Sequence, residues 1–176
     1  MGLFHRRDVP PAEALALLQG DERVVAWADT AAGSVVLATP RGIWWPEEGS
    51  LRLIGWQYVS KAVWRDGVLS VIEADVLDDL LLVDRAPVSA KLQVPRDLPP
   101  TVRKRVEGNV VRSEVAPVVG GVARFVGRRV PGADGLRFWA RLEAGTPDTA
   151  QVRSAVAARL AGLRAEWEQE QAAQRW

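Results

Sequence analysis

Short apolar runs separated by turn-forming residues occupy the first half of the chain. The segments VVAWADT, SVVLATP, GIWW, LRLIGW, KAVWRD, VLSVIEAD, LLLVD and VSAKLQV are punctuated by Ala31-Ala-Gly-Ser34, Pro46-Glu-Glu-Gly49, Asp66-Gly67 and Arg85-Ala-Pro87. Runs of this length at this spacing predict a small antiparallel barrel or sandwich. In the last run Val88, Ala90, Leu92 and Val94 alternate with Ser89, Lys91 and Gln93, the period of a strand with one buried and one wet face. Asp66-Gly67 supplies two residues that tolerate positive φ, as a two-residue hairpin turn requires if its twist is to match its strands. Upstream, Pro11 to Leu18, ending at Gly20, predicts a short helix leading into the first strand.

The pattern changes at Val94-Pro-Arg-Asp-Leu-Pro-Pro100, where adjacent prolines stop a strand and suit the first turn of a helix. Val102, Val106 and Val110 then recur every four residues, predicting a helix to about Ser113 that Gly108 weakens by up to ~1 kcal/mol. VARFVGRRV and GLRFWARLEA flank Pro131-Gly-Ala-Asp134 as a second hairpin. Val152, Val156, Leu160, Leu163 and Trp167 then step by four or three along a long amphipathic helix. Its start is signalled by Thr146-Pro147-Asp148 or by Asp148 with Gln151. The expected class is α+β, mainly antiparallel β, a small barrel or sandwich followed by a helix, a β-hairpin and a long C-terminal helix. We divide it into an N-terminal segment (1–20), a β-barrel with helix (21–113) and a hairpin plus long helix (114–176). The last is either an extension packed on the barrel or a separate β-β-α unit.

The run ATPRGIWW followed by LIGWQYVSKAVWRDGVLSVIEAD resembles the bacterial pleckstrin-homology-like (PH-like) families. The likeness lies in a strand ending in Thr, a turn, an apolar strand and a Gly-closed hairpin. It covers about residues 21–113, where seven or so strands precede a helix, and residues 114–176 depart from the simple family pattern. The resemblance implies a binding or scaffolding module without catalysis, and fold-level analogy names no ligand.

Composition removes several kinds of chemistry. With no Cys there are no disulfides, iron-sulfur clusters, thiolate zinc or thiol nucleophiles, and redox usage does not reveal the compartment. The one His, His5, stands near the terminus, far from a credible triad or multi-His metal site. No phosphate-loop, dinucleotide, zinc-protease or nucleophile-elbow motif occurs, and Lys61, Lys91 and Lys104 are unmarked by their surroundings. No catalytic residue, cofactor or metal is therefore assigned. The longest uncharged central stretch, Val115 to Ala123, falls far short of the ~20 residues a membrane-spanning helix needs. MGLFHRRD reverses the order of a secretory signal, so a cytoplasmic protein without integral membrane association is expected.

Two charged features remain. Carboxylates gather at Glu73, Asp75, Asp78, Asp79 and Asp84 without the spacing of a cation loop, and solvated acidic turns account for them better than a metal or acid/base site. Basic residues concentrate late: residues 1–95 hold 9 basic and 13 acidic side chains, residues 96–176 hold 14 and 9. If the second hairpin has an even loop, Arg124, Arg128, Arg137 and Arg141 share one face with Val126 and Trp139. Phe125, Leu136, Phe138, Ala140 and Leu142 then turn to the long helix. Opposed arginines repel unless something compensates them. That partner is either an external polyanion, with a base stacked on Trp139, or an internal acid such as Glu114, Glu143, Glu166, Glu168 or Glu170, or another element covering Trp139. A net charge of +1 tilts the balance towards the internal reading. Arg103, Lys104 and Arg105 form a second, diffuse collar, because consecutive helical residues point in different directions.

Tryptophan is abundant, with eight copies, and an exposed one would anchor a partner. Trp44 and Trp45 are adjacent in a strand and must face opposite sides. The expected function is a non-catalytic interaction or scaffold module acting by protein contact or self-association. Nucleic-acid or other polyanion binding through the Arg/Trp face is the alternative, and a small carboxylate enzyme the remote one.

Overall fold

The computed structural model describes residues 9–174, so the expectations placed on His5, on residues 1–8 and on Trp176 lie outside the described residues. The protein is α+β with mainly antiparallel strands. Strands β1 (Ala26–Asp29), β2 (Val35–Ala38), β3 (Gly42–Glu47) and β4 (Ser50–Gly55) form an antiparallel meander. A 3-10 turn, Trp56–Tyr58, leads to β5 (Val59–Arg65), β6 (Val68–Leu77), β7 (Leu81–Asp84) and β8 (Val88–Lys91). The β5–β6 turn is the expected one, with Asp66 at φ 51° and Gly67 at φ 78°.

Strand β8 lies back on β6 and continues to β1 through a Thr30–Leu92 bridge, the Ala31 N–H donating to Lys91 O at 2.8 Å. The two groups of strands thereby curl into a half-barrel. Ala28, Val36, Ile43, Trp45, Ile54, Val59, Leu69 and Val71 fill it. Helix α2 (Leu98–Asn109) packs across the opening with Leu98 and Val102 fully buried. Pro99 fits its first turn because no intrahelical N–H is needed there. Trp44 and Trp45 do face opposite sides. Trp45 enters the half-barrel, and Trp44 packs with Trp27, Leu37 and Ala14 of helix α1 (Ala12–Leu15), which lies on the outer face.

Strand β6 serves two neighbourhoods. Its first half pairs with β5 and β8 and its second half with β7. Strand β7 pairs in parallel with β11 (Leu136–Leu142), where the Ala140 N–H donates to Leu80 O at 2.9 Å. With β9 (Val110–Val118) and β10 (Gly121–Arg129), one sheet of seven strands therefore runs β5-β6-β7-β11-β10-β9, the seventh, β8, pairing with β6 off this path. β7 is covered on both faces: Leu81 packs in the cluster under helix α3 (Ala150–Ala173), Leu82 in the cluster of Trp139 and Val126. That accounts for the unbroken Leu80-Leu-Leu82 run.

Two expectations are corrected. The helix after the prolines ends at Asn109, four residues before Ser113, and Val110–Val118 forms strand β9, which pairs with β10 (Gly121–Arg129). Asn109 is buried and its side-chain amide donates to Arg129 O at 2.7 Å, tying the end of α2 to the sheet just where two β-branched valines favour extended backbone. The boundary placed between 113 and 114 thus falls inside a strand. Helix α3 is capped by neither expected signal: Thr149 Oγ1 accepts from the Val152 N–H at 3.2 Å. Its buried stripe, Val152, Val156, Leu160 and Leu163 with Trp167 half-buried, is the one the periodicity predicts.

Candidate functional site

The β10–β11 register pairs Arg124 with Arg141, Val126 with Trp139 and Arg128 with Arg137, as the even-loop arithmetic requires. Phe125, Phe138 and Ala140 lie on the opposite face beneath α3. Exposure is another matter. Trp139 is 1% and Arg128 4% exposed, because Tyr58, Ala74 and Leu82 cover this half of the ribbon. Tyr58 and Trp139 meet at a ring separation of 6.0 Å.

Each arginine of the ribbon has its own surroundings. Arg128 donates to the carbonyls of Val59 at 2.8 Å and Gln57 at 3.4 Å, clasping the 3-10 turn. Burial, with a smaller push from Arg141, lowers its guanidinium to about 10 against an opposing pull from Asp84. Arg141 pairs with Asp84 and donates to Ser60 Oγ. Arg124 pairs with Glu143 at 3.1 Å, one of the internal acids named above. Arg137 is exposed and stands 5.9 Å over the Trp139 ring. The five residues share a face in register but not a common exposed surface. Half of that face is an internal seam between the half-barrel and the β9–β11 sheet.

The carboxylates are also engaged. Glu73 pairs with Arg52 at 2.7 Å and Arg85 at 3.3 Å, Asp75 with Arg85, and Asp78 with Arg153. Among the described residues no three His, Asp or Glu side chains gather as a metal-ligand set. In the basic collar Arg103 pairs with Glu107 one turn on at 2.8 Å, Lys104 is exposed and Arg105 half-buried, so the triplet is spread around α2 as the helix geometry demands.

A different surface brings together an open strand edge, exposed apolar groups and a groove. β5 is one end of the seven-stranded sheet, and α2 packs beside it. Between them runs a groove of about 660 Å³ lined by Lys61, Val63 and Trp64 on one side and Pro99, Arg103 and Val106 on the other. Register puts Ala62 opposite Val71 and Trp64 opposite Leu69, on the face of the core residues. Trp64 lies near the hairpin end of β5, so its indole stays 39% exposed, with Val63 40% exposed on the other face. Among the described residues Trp64 is the one exposed tryptophan, the placement in which a tryptophan would anchor a partner. Sequence reasoning counted Trp64 among the eight without singling it out. The available signal was its position two residues before the Asp66-Gly67 turn, where a strand projects past its core.

One buried acid has a structural role. Glu22 accepts from Thr39 Oγ1 and from Trp44 Nε1 at 3.0 Å. Burial opposes its charge, yet these hydrogen bonds, the Gln19 N–H and Arg41 outweigh it and hold the carboxyl below the usual range. Among the described residues no helix is long and apolar enough to cross a membrane. No protein-family model, curated protein or solved structure matches this chain.

Proposed function

We propose that the protein is a cytoplasmic, non-catalytic interaction module that takes an extended segment of a partner protein along β5, in the groove against α2. The observation that carries this reading is the coincidence of a strand edge unpaired among the described residues with exposed Trp64 and Val63 and a proline-walled groove. An edge strand offers backbone groups for a further strand, and alternate side-chain pockets supply selectivity. An aromatic anchor near a groove fits the residue type that dominates protein interfaces. Lys61 and Arg103 at the rim, with Lys104 beyond them, favour a segment bearing acidic residues, and Glu107 offsets part of that charge. The element order, a four-stranded meander, then β5, β6, β7 and β8, then α2 across the opening, is what supports the PH-like resemblance for this part of the chain.

The test is selection from a displayed library of extended peptides of about 12 residues against the purified protein. Enrichment of peptides that carry acidic and β-branched residues is expected. The Trp64→Ala protein should bind them at least about tenfold more weakly, a loss of ~1.4 kcal/mol, with an unchanged melting temperature. No enrichment, or selected peptides indifferent to Trp64→Ala, would count against the proposal. Retention on a polyanion resin that falls steeply with salt, unaffected by Trp64→Ala and lost in Arg137→Glu, would favour the polyanion alternative instead.

A further inference from the structure

The other end of the long sheet is also open. Among the described residues β9 pairs with β10 alone, and its exposed side carries Val111, Ser113, Val115 and Pro117 while Arg112, Glu114, Ala116 and Val118 face α3. Val115 is 52% exposed. The direction of the free backbone groups follows from β10. The Val122 N–H donates to Thr146 Oγ1 at 2.9 Å and its carbonyl accepts from the Glu143 N–H at 2.9 Å, so Val122 turns its polar groups away from β9. In an antiparallel ladder both groups of a residue point the same way and the direction alternates along the strand. Pro117, Val115 and Ser113, opposite Val122, Arg124 and Val126, therefore present their backbone to the open edge.

We propose that β9 pairs with β9 of a second copy, antiparallel about a twofold axis at Ser113, joining the two sheets into one. The segment Val111-Arg-Ser-Glu-Val115 is symmetric about Ser113 in its valines and complementary in charge at Arg112 and Glu114. In this register Ser113 faces Ser113 of the other copy as a hydrogen-bonded pair, Val111 faces Val115, and Arg112 faces Glu114 on both sides of the axis. Within the chain Glu114 is held by Arg159 and Arg112 pairs with Glu170, so each cross-copy contact would complete a row of alternating sign, Arg159, Glu114, Arg112, Glu170. Neighbouring registers fail on the same residues. Moving the axis one residue towards the N-terminus sets Arg112 against Arg112, and one residue the other way sets Glu114 against Glu114, both repulsive. Moving it two residues towards the C-terminus sets Ser113 against Pro117, which has no N–H to give. The partner is thus a second copy, and the dimer does not depend on the β5 groove.

The test is sedimentation across a concentration series together with directed cross-linking. A monomer-dimer equilibrium is expected. Ser113→Pro removes only a donor that faces the open edge, so it should raise the dimer dissociation constant at least about tenfold with the far-ultraviolet spectrum and melting temperature retained. Because the chain has no Cys, Ser113→Cys gives a clean probe. Hydrogen-bonded antiparallel pairs have Cα atoms about 5.5 Å apart, inside the roughly 4.4–6.8 Å span of a disulfide. Under mild oxidant Ser113→Cys should become a covalent dimer much faster than Val119→Cys, off the axis in the β9–β10 turn. A wild-type chain that stays monomeric, Ser113→Pro dimerising like wild type, or equal cross-linking of the two Cys variants would overturn the proposal. If Ser113→Pro does not fold, the cross-linking comparison decides alone.

Discussion

Arg128 shows how a single residue can be located correctly and still have a role that register alone does not reveal. Strand parity put it beside Trp139, and the structure keeps it there, but as a clasp between β10 and the 3-10 turn. Two carbonyls receive its guanidinium, so Arg128→Glu sets a carboxylate against them and beside Asp84. We expect a loss of about 3–5 kcal/mol, the scale for leaving a buried charge uncompensated. Arg128→Met should cost about 1–3 kcal/mol, since the carbonyls lose a donor without gaining a repulsive charge. Chemical denaturation of the two variants checks the order, and an Arg128→Glu protein as stable as wild type would show that the clasp contributes nothing. Because the lowered value of about 10 lies well above neutrality, titration of Arg128 leaves stability flat through physiological pH.

Glu22 and Glu114 act in the acid range. The hydrogen bonds of Arg159, opposed by burial and helped by its charge, hold the Glu114 carboxyl below its ordinary 4.5, as the Thr39 and Trp44 bonds do for Glu22. A carboxyl lowered in the folded state contributes stability above its unfolded value, and that contribution is lost as pH falls through the folded value. Denaturation midpoints should therefore drop as pH falls below about 4.5. Glu22→Gln should be less stable than wild type at neutral pH with a shallower acid limb. An acid limb identical to wild type would remove Glu22 from this account.

At the scale of elements, legibility followed periodicity. The Asp66-Gly67 hairpin, the two-sided Trp44-Trp45 strand, the β10–β11 register and the stripe of α3 could be read because alternation or a four-residue step fixes which side chains share a face. β9 was missed because Val102, Val106 and Val110 continue a helical step across Asn109, and local pattern cannot report the long-range hydrogen bond from Asn109 to Arg129 O that ends the helix. The true cap, Thr149, lay one residue beyond the expected signals. Thr149→Ala should destabilise the protein by about 1 kcal/mol, measurable as a lower denaturation midpoint, whereas Asp148→Ala should not remove the cap.

At the scale of the whole molecule, the parallel β7–β11 contact joins β9, β10 and β11 to the strands of the half-barrel. No local signal announced it, since strands far apart in sequence meet there, although the unbroken leucines of β7 are its residue-level trace. The contact closes the Arg128–Trp139 seam, and so removes from the surface half of what the sequence offered as a cationic face. A seam containing Trp139, Tyr58, Leu82 and Val126 couples the half-barrel to the β9–β11 sheet. We expect one calorimetric transition whose van't Hoff and calorimetric enthalpies agree. Leu82→Ala, which empties part of the seam, should cost about 2–5 kcal/mol. Two resolved transitions in the wild-type protein would mean that the parts fold independently.

With the seam internal, the two ends of the long sheet are its open edges among the described residues, β5 proposed to take a partner segment and β9 a second copy. The most direct measurement of the central claim is amide hydrogen exchange of the protein with and without a peptide selected for binding. Slowed exchange confined to Lys61–Arg65 and the facing turns of α2 is the predicted result. Protection over β10 and β11 around Arg137, with β5 unchanged, would contradict the claim and return attention to the arginine ribbon.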